Sequence, residues 1–177
     1  MGLNTLFKSI CSATLFIILL TPTVSAQWTT SQSEDEMSGE KRSFAFSPSV
    51  ESTTRMRMPY TGTTGRLAVG CNDNSEWAYI VFSETPNLLN VTLEDGRNRI
   101  RTRMRWDDEV ENVILIQTWG ANTLHFTNAS SAVQKMINSN EVLLELDWYG
   151  ENKTYFRFSL EGSSNAVSQI RNECTTY

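Results

Sequence analysis

The chain has 177 residues, and its 15 Lys and Arg against 20 Asp and Glu give a formal net charge of −5. This acidic balance argues against a protein dedicated to binding nucleic acids and favours solubility. A length of this order suits one domain rather than several.

The first 26 residues have the pattern of a secretory signal peptide. Lys8 supplies the positive charge, residues 10–24 the apolar stretch, and Val24-Ser25-Ala26 the small residues at the cleavage position. A retained membrane anchor is the alternative, but a spanning helix needs about 20 apolar residues and Thr21-Pro22-Thr23 interrupts this shorter run. We therefore expect cleavage before Gln27 and a periplasmic or secreted mature protein.

The mature chain, residues 27–177, is expected to form a single domain that contains two cysteines, Cys71 and Cys174. Two cysteines in an oxidising compartment most simply pair with each other. Such a bridge would close most of the domain. By restricting the unfolded chain it would stabilise the fold by about 4–5 kcal/mol. Two free buried thiols are the alternative. No second apolar anchor follows the signal, so no transmembrane segment is expected in the mature chain.

The first half of the mature chain alternates between polar linkers and short strand patterns. A short strand at Trp28 leads into a polar, acidic segment, residues 29–42, which we interpret as a loop. Residues 43–47 and 54–58 then alternate with a period of two, as half-buried strands do. The stretch Leu67 to Cys71 alternates in the same way, which directs Cys71 into the core.

The second half contains longer strand patterns. Residues 76–83 are apolar on both faces, which predicts a central strand that is covered on both sides. A strand at 88–93 leads to the turn signal Glu94-Asp95-Gly96. The next strand is predicted at Arg97–Trp106, and residues 107–109 turn the chain. Val113–Trp119 is predicted to return as another strand, and 141–149 and 153–160 are predicted to form a late hairpin.

Two helices are predicted among these strands. Asn128 begins a segment that can cap a helix whose inner face holds Val133, Met136 and Ile137. Ser163 or Ser164 can cap a final helix that aligns its apolar residues with Cys174. The sequence therefore predicts a mainly β protein, an antiparallel β-sandwich with one internal helix and a C-terminal helix.

The order of these features resembles one known group of proteins. The features are Trp28, the acidic loop Asp35-Glu36-Met37, the strand Leu67-Ala68-Val69-Gly70-Cys71, the core strand Glu76-Trp77-Ala78-Tyr79-Ile80, Arg99-Ile100-Arg101, Trp119, and the ending from Phe158 to Cys174. In this order they resemble the exported accessory proteins of the VasI/TagO type that are associated with type VI secretion in Gram-negative bacteria. The resemblance implies a periplasmic, non-catalytic accessory protein and carries over no catalytic residues.

The strand pattern at 97–106 contains a row of arginines. A period of two places all of them on one face of the strand and Ile100, Met104 and Trp106 on the other. Guanidinium groups at this spacing are suited to phosphate or carboxylate groups of an anionic envelope partner. The alternative is a face neutralised by the chain's own acids, either Glu109 and Glu111 or Glu145 and Asp147. The arginines of the row are Arg97, Arg99, Arg101, Arg103 and Arg105.

Few other residues suit catalysis or metal binding. His125 is the only histidine and no nucleophile motif accompanies it, so a catalytic triad is not expected. One histidine and bridged cysteines cannot complete a zinc site. Two acidic turns, at 72–76 and 107–111, lack the spacing and the glycine of a calcium loop. We therefore expect no catalytic residues, no metal and no cofactor.

The residues favour a non-catalytic binding or accessory protein of the bacterial cell envelope. One alternative is a small envelope hydrolase that uses a pair of Asp or Glu residues, and another is a secreted inhibitor with a protruding loop. Three glycosylation sequons, at Asn90, Asn128 and Asn152, would carry glycans only in a eukaryotic secretory pathway.

Overall fold

The structure is a computed structural model in which residues 27–174 are described. The predicted signal peptide, residues 1–26, lies outside the described residues. Within the described range the chain forms eleven strands and two helices, and every strand pair is antiparallel. The prediction of a mainly β fold with one internal and one C-terminal helix is therefore confirmed.

The elements follow the chain in this order. The first six strands are β1 Thr29–Glu34, β2 Lys41–Phe46, β3 Val50–Glu51, β4 Thr64–Cys71, β5 Glu76–Phe82 and β6 Val91–Glu94. The remaining elements are β7 Arg97–Trp106, β8 Glu109–Thr118, β9 Thr123–Phe126, α1 Ala129–Asn138, β10 Glu141–Asp147, β11 Lys153–Ser159 and α2 Ser163–Cys174.

Hydrogen bonds join these strands into one sheet of order β1-β2-β4-β5-β9-β8-β7-β10-β11, with β3 added to β4 and β6 added to β7. A bridge between Ser52 and Phe156 and a 2.7 Å hydrogen bond from Thr53 N to Tyr155 O connect the end of β3 to β11. Because β3 also pairs with β4, the sheet curls back towards its own other end. One continuous sheet thus encloses the core from opposite sides.

The core lies between the inner face of this sheet and the two helices. Phe82 packs its ring 5.6 Å from Trp148 and 5.1 Å from Phe156, and all three side chains are buried. α1 packs on β5 and β9, and α2 packs on β2 and β4. Ser163 joins the helices through a 2.7 Å hydrogen bond to the carbonyl of Met136. The helices thus lie on the inner side of the sheet.

A disulfide between Cys71 and Cys174 ties the end of β4 to the end of α2, with their Cα atoms 6.2 Å apart. The structure brings together the two cysteines that the sequence predicts to pair. Beside the bridge, Arg171 forms two hydrogen bonds of 2.7 and 2.9 Å to the carboxylate of Glu76. The C-terminal helix is therefore held to the sheet by a covalent bond and an ion pair.

Two sequence predictions near the N-terminus are wrong. The segment interpreted as a loop contains β1, residues 29–34, which pairs along its length with β2. This edge strand is polar and almost wholly exposed, so it forms backbone hydrogen bonds without the apolar alternation that would reveal it. The predicted strand at 54–58 is absent because the chain leaves the sheet after Thr53 and turns at Pro59, which lacks an N–H.

The apolar strands of the middle were also predicted incompletely. Trp119 was expected to end a core strand, but β8 ends at Thr118 and the Trp119 side chain is 84 % exposed. β5 is central, between β4 and β9, as predicted. Only its inner side chains are buried, whereas Trp77 and Tyr79 on its outer side remain partly exposed. The helices cover one side of the sheet only.

Candidate anion-binding site on the arginine strand

The five predicted arginines belong to β7 and lie on its outer side. Alternate residues of β7 are buried, including Ile100, Met104 and Trp106, and they face the core. β8 pairs with β7 along all ten residues, which fixes the orientation of each side chain. The predicted two-sided pattern of this strand therefore agrees with the structure.

The other edge of β7 has a gap in its strand pairing. β6 pairs with β7 only as far as Ile100, and β10 pairs with it only from Met104 onwards. Residues 101–103 therefore have no strand beside them on that edge. This gap forms an open pocket of about 500 Å³. Its lining residues are Asn90, Arg101, Thr102, Arg103, Asn112, Val113, Ile114, Glu145, Asp147 and Lys153.

Side chains replace the missing strand along this pocket. The Asn90 side-chain amide donates a hydrogen bond to the carbonyl of Arg101. The Thr102 hydroxyl donates to the carbonyl of Glu145. Because a buried backbone group without a partner is costly, these two bonds allow β6 and β10 to diverge here. Hydrogen bonds from side chains therefore hold the pocket open within the sheet.

Glu145 is the most strongly perturbed acid in the pocket. Its side chain is only 9 % exposed, and it accepts hydrogen bonds of 3.1 and 2.6 Å from Arg103 and one of 2.6 Å from Lys153. The Arg103 bonds are the largest cause that lowers the pKa of Glu145 to about 2, with Lys153 adding to them against the effect of burial. Glu145 is therefore a fixed anion, and Arg103 is committed to it.

Two more arginines of the row have acidic partners. Arg99 lies 2.8 Å from Glu94 on β6, and Arg105 lies 3.9 Å from Glu141 on β10. Arg97 and Arg101, in contrast, form no ion pair with any residue between 27 and 174, and both are exposed. Acidic side chains thus neutralise three arginines of the row, and the other two are available to a ligand.

Glu109 and Glu111, one of the two acid pairs considered as neutralising partners, do not face the arginines. In the β7–β8 register they lie opposite Trp106 and Met104, whose side chains point inwards. Glu111 instead lies 2.8 Å from Lys135 of α1 and accepts a 2.6 Å hydrogen bond from the Trp106 indole. A shift of one residue decides the face of a strand, and sequence alone does not give the register.

The residues considered for other chemistry have structural roles. His125 stacks on Tyr79 at 5.2 Å, and burial, followed by the charge of Arg97, lowers its pKa. The Asn72 side-chain oxygen accepts hydrogen bonds from its own turn, and the Asp107 carboxylate accepts them from the backbone of Asn140. Among the described residues, no three His, Cys, Asp or Glu side chains lie close enough to hold a metal ion.

The sequons differ in their surroundings. Asn90 is half-buried and its amide is bonded in the pocket. The Asn128 side chain caps α1 by accepting a 3.1 Å hydrogen bond from Ser131 N. Asn152 is exposed in the turn between β10 and β11.

Sequence reasoning missed the pocket and two of the side chains that form it, Asn90 and Lys153. Neither lies on the arginine strand, and each reaches the pocket through the pairing of a different strand. The gap between β6 and β10 is a product of strand order, so the sequence contains no local signal for it. The sequence indicated this position only through Glu145 and Asp147, which were considered as possible neutralising acids.

No protein-family model matches the chain, and neither a curated protein nor a solved structure matches it significantly. In the part of the chain that the structure describes, no helix is long and apolar enough to cross a membrane.

Proposed function

We propose that this chain is an exported, non-catalytic binding protein of the bacterial cell envelope that holds anionic groups of its partner with Arg97 and Arg101. The observation that carries the proposal is that an acidic chain leaves these two arginines of the row without an acid partner. Like charges on one strand repel each other unless an anion lies nearby. An external carboxylate or phosphate would supply that anion.

The neighbouring ion pairs prepare this surface for a ligand. Glu145 fixes Arg103, and Glu94 fixes Arg99, so the free Arg101 guanidinium stands between two ordered side chains and Arg97 lies beside one of them. A guanidinium group offers parallel N–H donors that match a carboxylate or a phosphate, and such charge-assisted bonds are about twice as strong as neutral ones. The ligand would therefore meet Arg101 at the pocket and Arg97 farther along the same strand, each beside an ordered side chain.

The pKa of Glu145 supports a binding role over the alternative of a hydrolase. A glycosidase needs one carboxyl group with a raised pKa to act as the general acid. The Glu145 carboxyl group has its pKa lowered to about 2, because Arg103 and Lys153 hold it as an anion. An acid in that state has no proton to donate near neutral pH.

Export is supported by the signal-peptide pattern and by the disulfide, since such bridges form in oxidising compartments. The resemblance to the VasI/TagO type supports a place beside a type VI secretion system in the periplasm. Mass spectrometry of protein from the envelope fraction tests the export step. We expect a mature chain that begins at Gln27, whereas an intact N-terminus on cytoplasmic protein would contradict export.

The binding role is tested with R97Q, R101Q and the double variant against R55Q, an exposed arginine away from the row. Immobilised polyphosphate, polyglutamate and oligomannuronate serve as anionic probes at low and high salt. We expect salt-sensitive binding to at least one probe, weakened about tenfold by each row substitution because a charged hydrogen bond contributes about 1.5–3 kcal/mol. Equal binding of the double variant, R55Q and the unmodified protein at low salt would refute the proposal.

A further inference from the structure

The outer face of the sheet has a second surface beside the arginine row. It is an apolar platform that crosses β2, β5 and β8, and all its members are partly exposed. We call it the aromatic platform: Phe44, Phe46, Trp77, Tyr79, Ile114 and Ile116. The strand register continues it into the arginine row, because Tyr79 lies opposite His125, His125 opposite Ile116, and Ile116 opposite Arg99.

The Trp77 indole of the platform lies over the backbone of β4, and the phenyl rings of β2 pack beside it. A Cβ atom added to Gly70 would lie 2.5 Å from the Trp77 indole, so the indole covers the backbone of that glycine. Phe44 packs 6.0 Å from Phe46 and 6.1 Å from Trp77. Phe44 stacks on Phe46 and meets Trp77 edge-on, so the three rings hold one another in place.

The charge of this face is opposite to that of the chain. In the register, no Asp or Glu among the described residues projects outwards from β2, β4, β5, β8 or β9. Arg66 borders the platform on one side, 4.2 Å above the ring of Phe46, and Arg97 and Arg101 border it on the other. The strands of the platform therefore present no acid outwards although the chain has a net charge of −5, and the outward acids Glu141 and Glu145 lie beyond β7 on β10.

We propose that the aromatic platform binds an acidic polysaccharide, whose sugar rings stack on Trp77 and Tyr79 while its acid groups reach Arg97 and Arg101. This inference rests on the proposed function and names the ligand class of the same face. The C–H groups of a pyranose face match the negative face of an aromatic ring. Three strand spacings separate Tyr79 from Arg99, about 14 Å, so the ligand is an oligomer rather than a single sugar.

Charge complementarity and the partial burial of the rings favour this occupant over two others. A second copy of the chain would bring the arginines that border the platform against the same arginines, which is repulsive. A membrane surface is bound by apolar side chains that protrude into the lipid. The strongly exposed apolar residues lie elsewhere, at Trp119 and Leu93 for example, whereas the platform rings are partly buried.

The test measures the affinity for a mannuronate hexasaccharide by calorimetry, with cellohexaose as the neutral probe. W77L and Y79L remove a ring but keep apolar cover on the strand, and W119L is the matched control outside the platform. We expect each platform variant to weaken uronate binding about threefold to tenfold and W119L to leave it unchanged. Thermal unfolding verifies that each variant is folded, and Y79L serves alone if W77L does not fold.

Four other outcomes would contradict the inference, and they differ in what they imply for the proposed function and for the ligand. Unchanged uronate binding in W77L and Y79L, with loss in the R97Q/R101Q double variant, overturns the inference and leaves the proposed function standing. Unchanged binding in all of these variants overturns both. Preferential binding to phosphatidylglycerol vesicles would assign the face to a membrane surface. Dimerisation in sedimentation that W77L abolishes would assign it to a second copy of the chain.

Discussion

At the scale of single residues, Glu145 shows how one buried acid organises a charged surface. Its carboxylate is shared by Arg103 and Lys153, whose side chains are 55 % and 49 % exposed. A carboxylate with so little access to water stays ionised only because both cations donate hydrogen bonds to it. The acid therefore orders two long side chains at the pocket and leaves Arg101 as the available cation beside them.

We predict that E145Q lowers stability in a pH-dependent way. The folded pKa of Glu145, about 2, lies below its ordinary value of 4.5, so the carboxylate stabilises the fold above about pH 4.5 and this contribution disappears as the pH falls towards 2. Because both cations are half exposed, we expect a loss of about 1–2 kcal/mol at neutral pH. Urea unfolding at pH 7 and pH 3 measures it, with E84Q as an exposed control. A loss that does not change with pH would contradict the argument.

At the scale of elements, the contact between β4 and β5 explains how the Trp77 indole lies against the outer side of β4. Gly70 and Trp77 are directly paired across the two strands, so the absence of a side chain at Gly70 leaves room for the indole. Glycine usually weakens a strand, and a close approach by another group is a common reason for its presence. The same pair thus shapes the local packing and the platform.

We expect G70A to destabilise the protein by about 1–3 kcal/mol, because the new methyl group forces the Trp77 indole out of place. In a W77A background the same substitution should cost much less, since the obstructing ring is gone. A double-mutant cycle with urea unfolding measures the coupling between the two sites. Additive effects would show that the indole does not depend on Gly70.

At the scale of the whole molecule, the disulfide joins residues 103 apart in the sequence and closes the sheet onto its last helix. α2 has 12 residues and contacts β1, β2 and β4, so its position affects the whole N-terminal half of the sheet. In addition to the bridge, the helix is held by Arg171 and by its buried residues Val167 and Ile170. The disulfide therefore reinforces an interface between α2 and the sheet that noncovalent contacts also hold together.

We predict that C174S lowers the free energy of unfolding by about 2–5 kcal/mol, because the unfolded chain regains the freedom that the bridge removes. Urea unfolding compares it with the oxidised protein, and the reduced unmodified protein should match C174S. Alkylation of the folded, non-reduced protein provides the decisive control. Two reactive thiols at Cys71 and Cys174 would contradict the pairing.

Much of the fold follows from patterns that are local in the sequence. The alternation in β4 and β7 is set by the two-residue repeat of a strand, which any sheet imposes on its side chains. The capping residue Asn128 and the apolar spacing of α1 are equally local, and the structure shows both. Only two cysteines follow the predicted signal peptide, so their pairing was the simplest expectation. These features were therefore predictable without a structure.

What the sequence by itself determined is the class of fold, the disulfide and the single face that holds the arginines of β7. Only the tertiary structure decided that Arg103 belongs to Glu145 while Arg101 is free, and that Glu111 faces Lys135 instead. It also decided that the outer side of β5 stays partly exposed. The reason is physical: strand order and register are set by contacts between distant parts of the chain, and a shift of one residue exchanges the two faces of a strand.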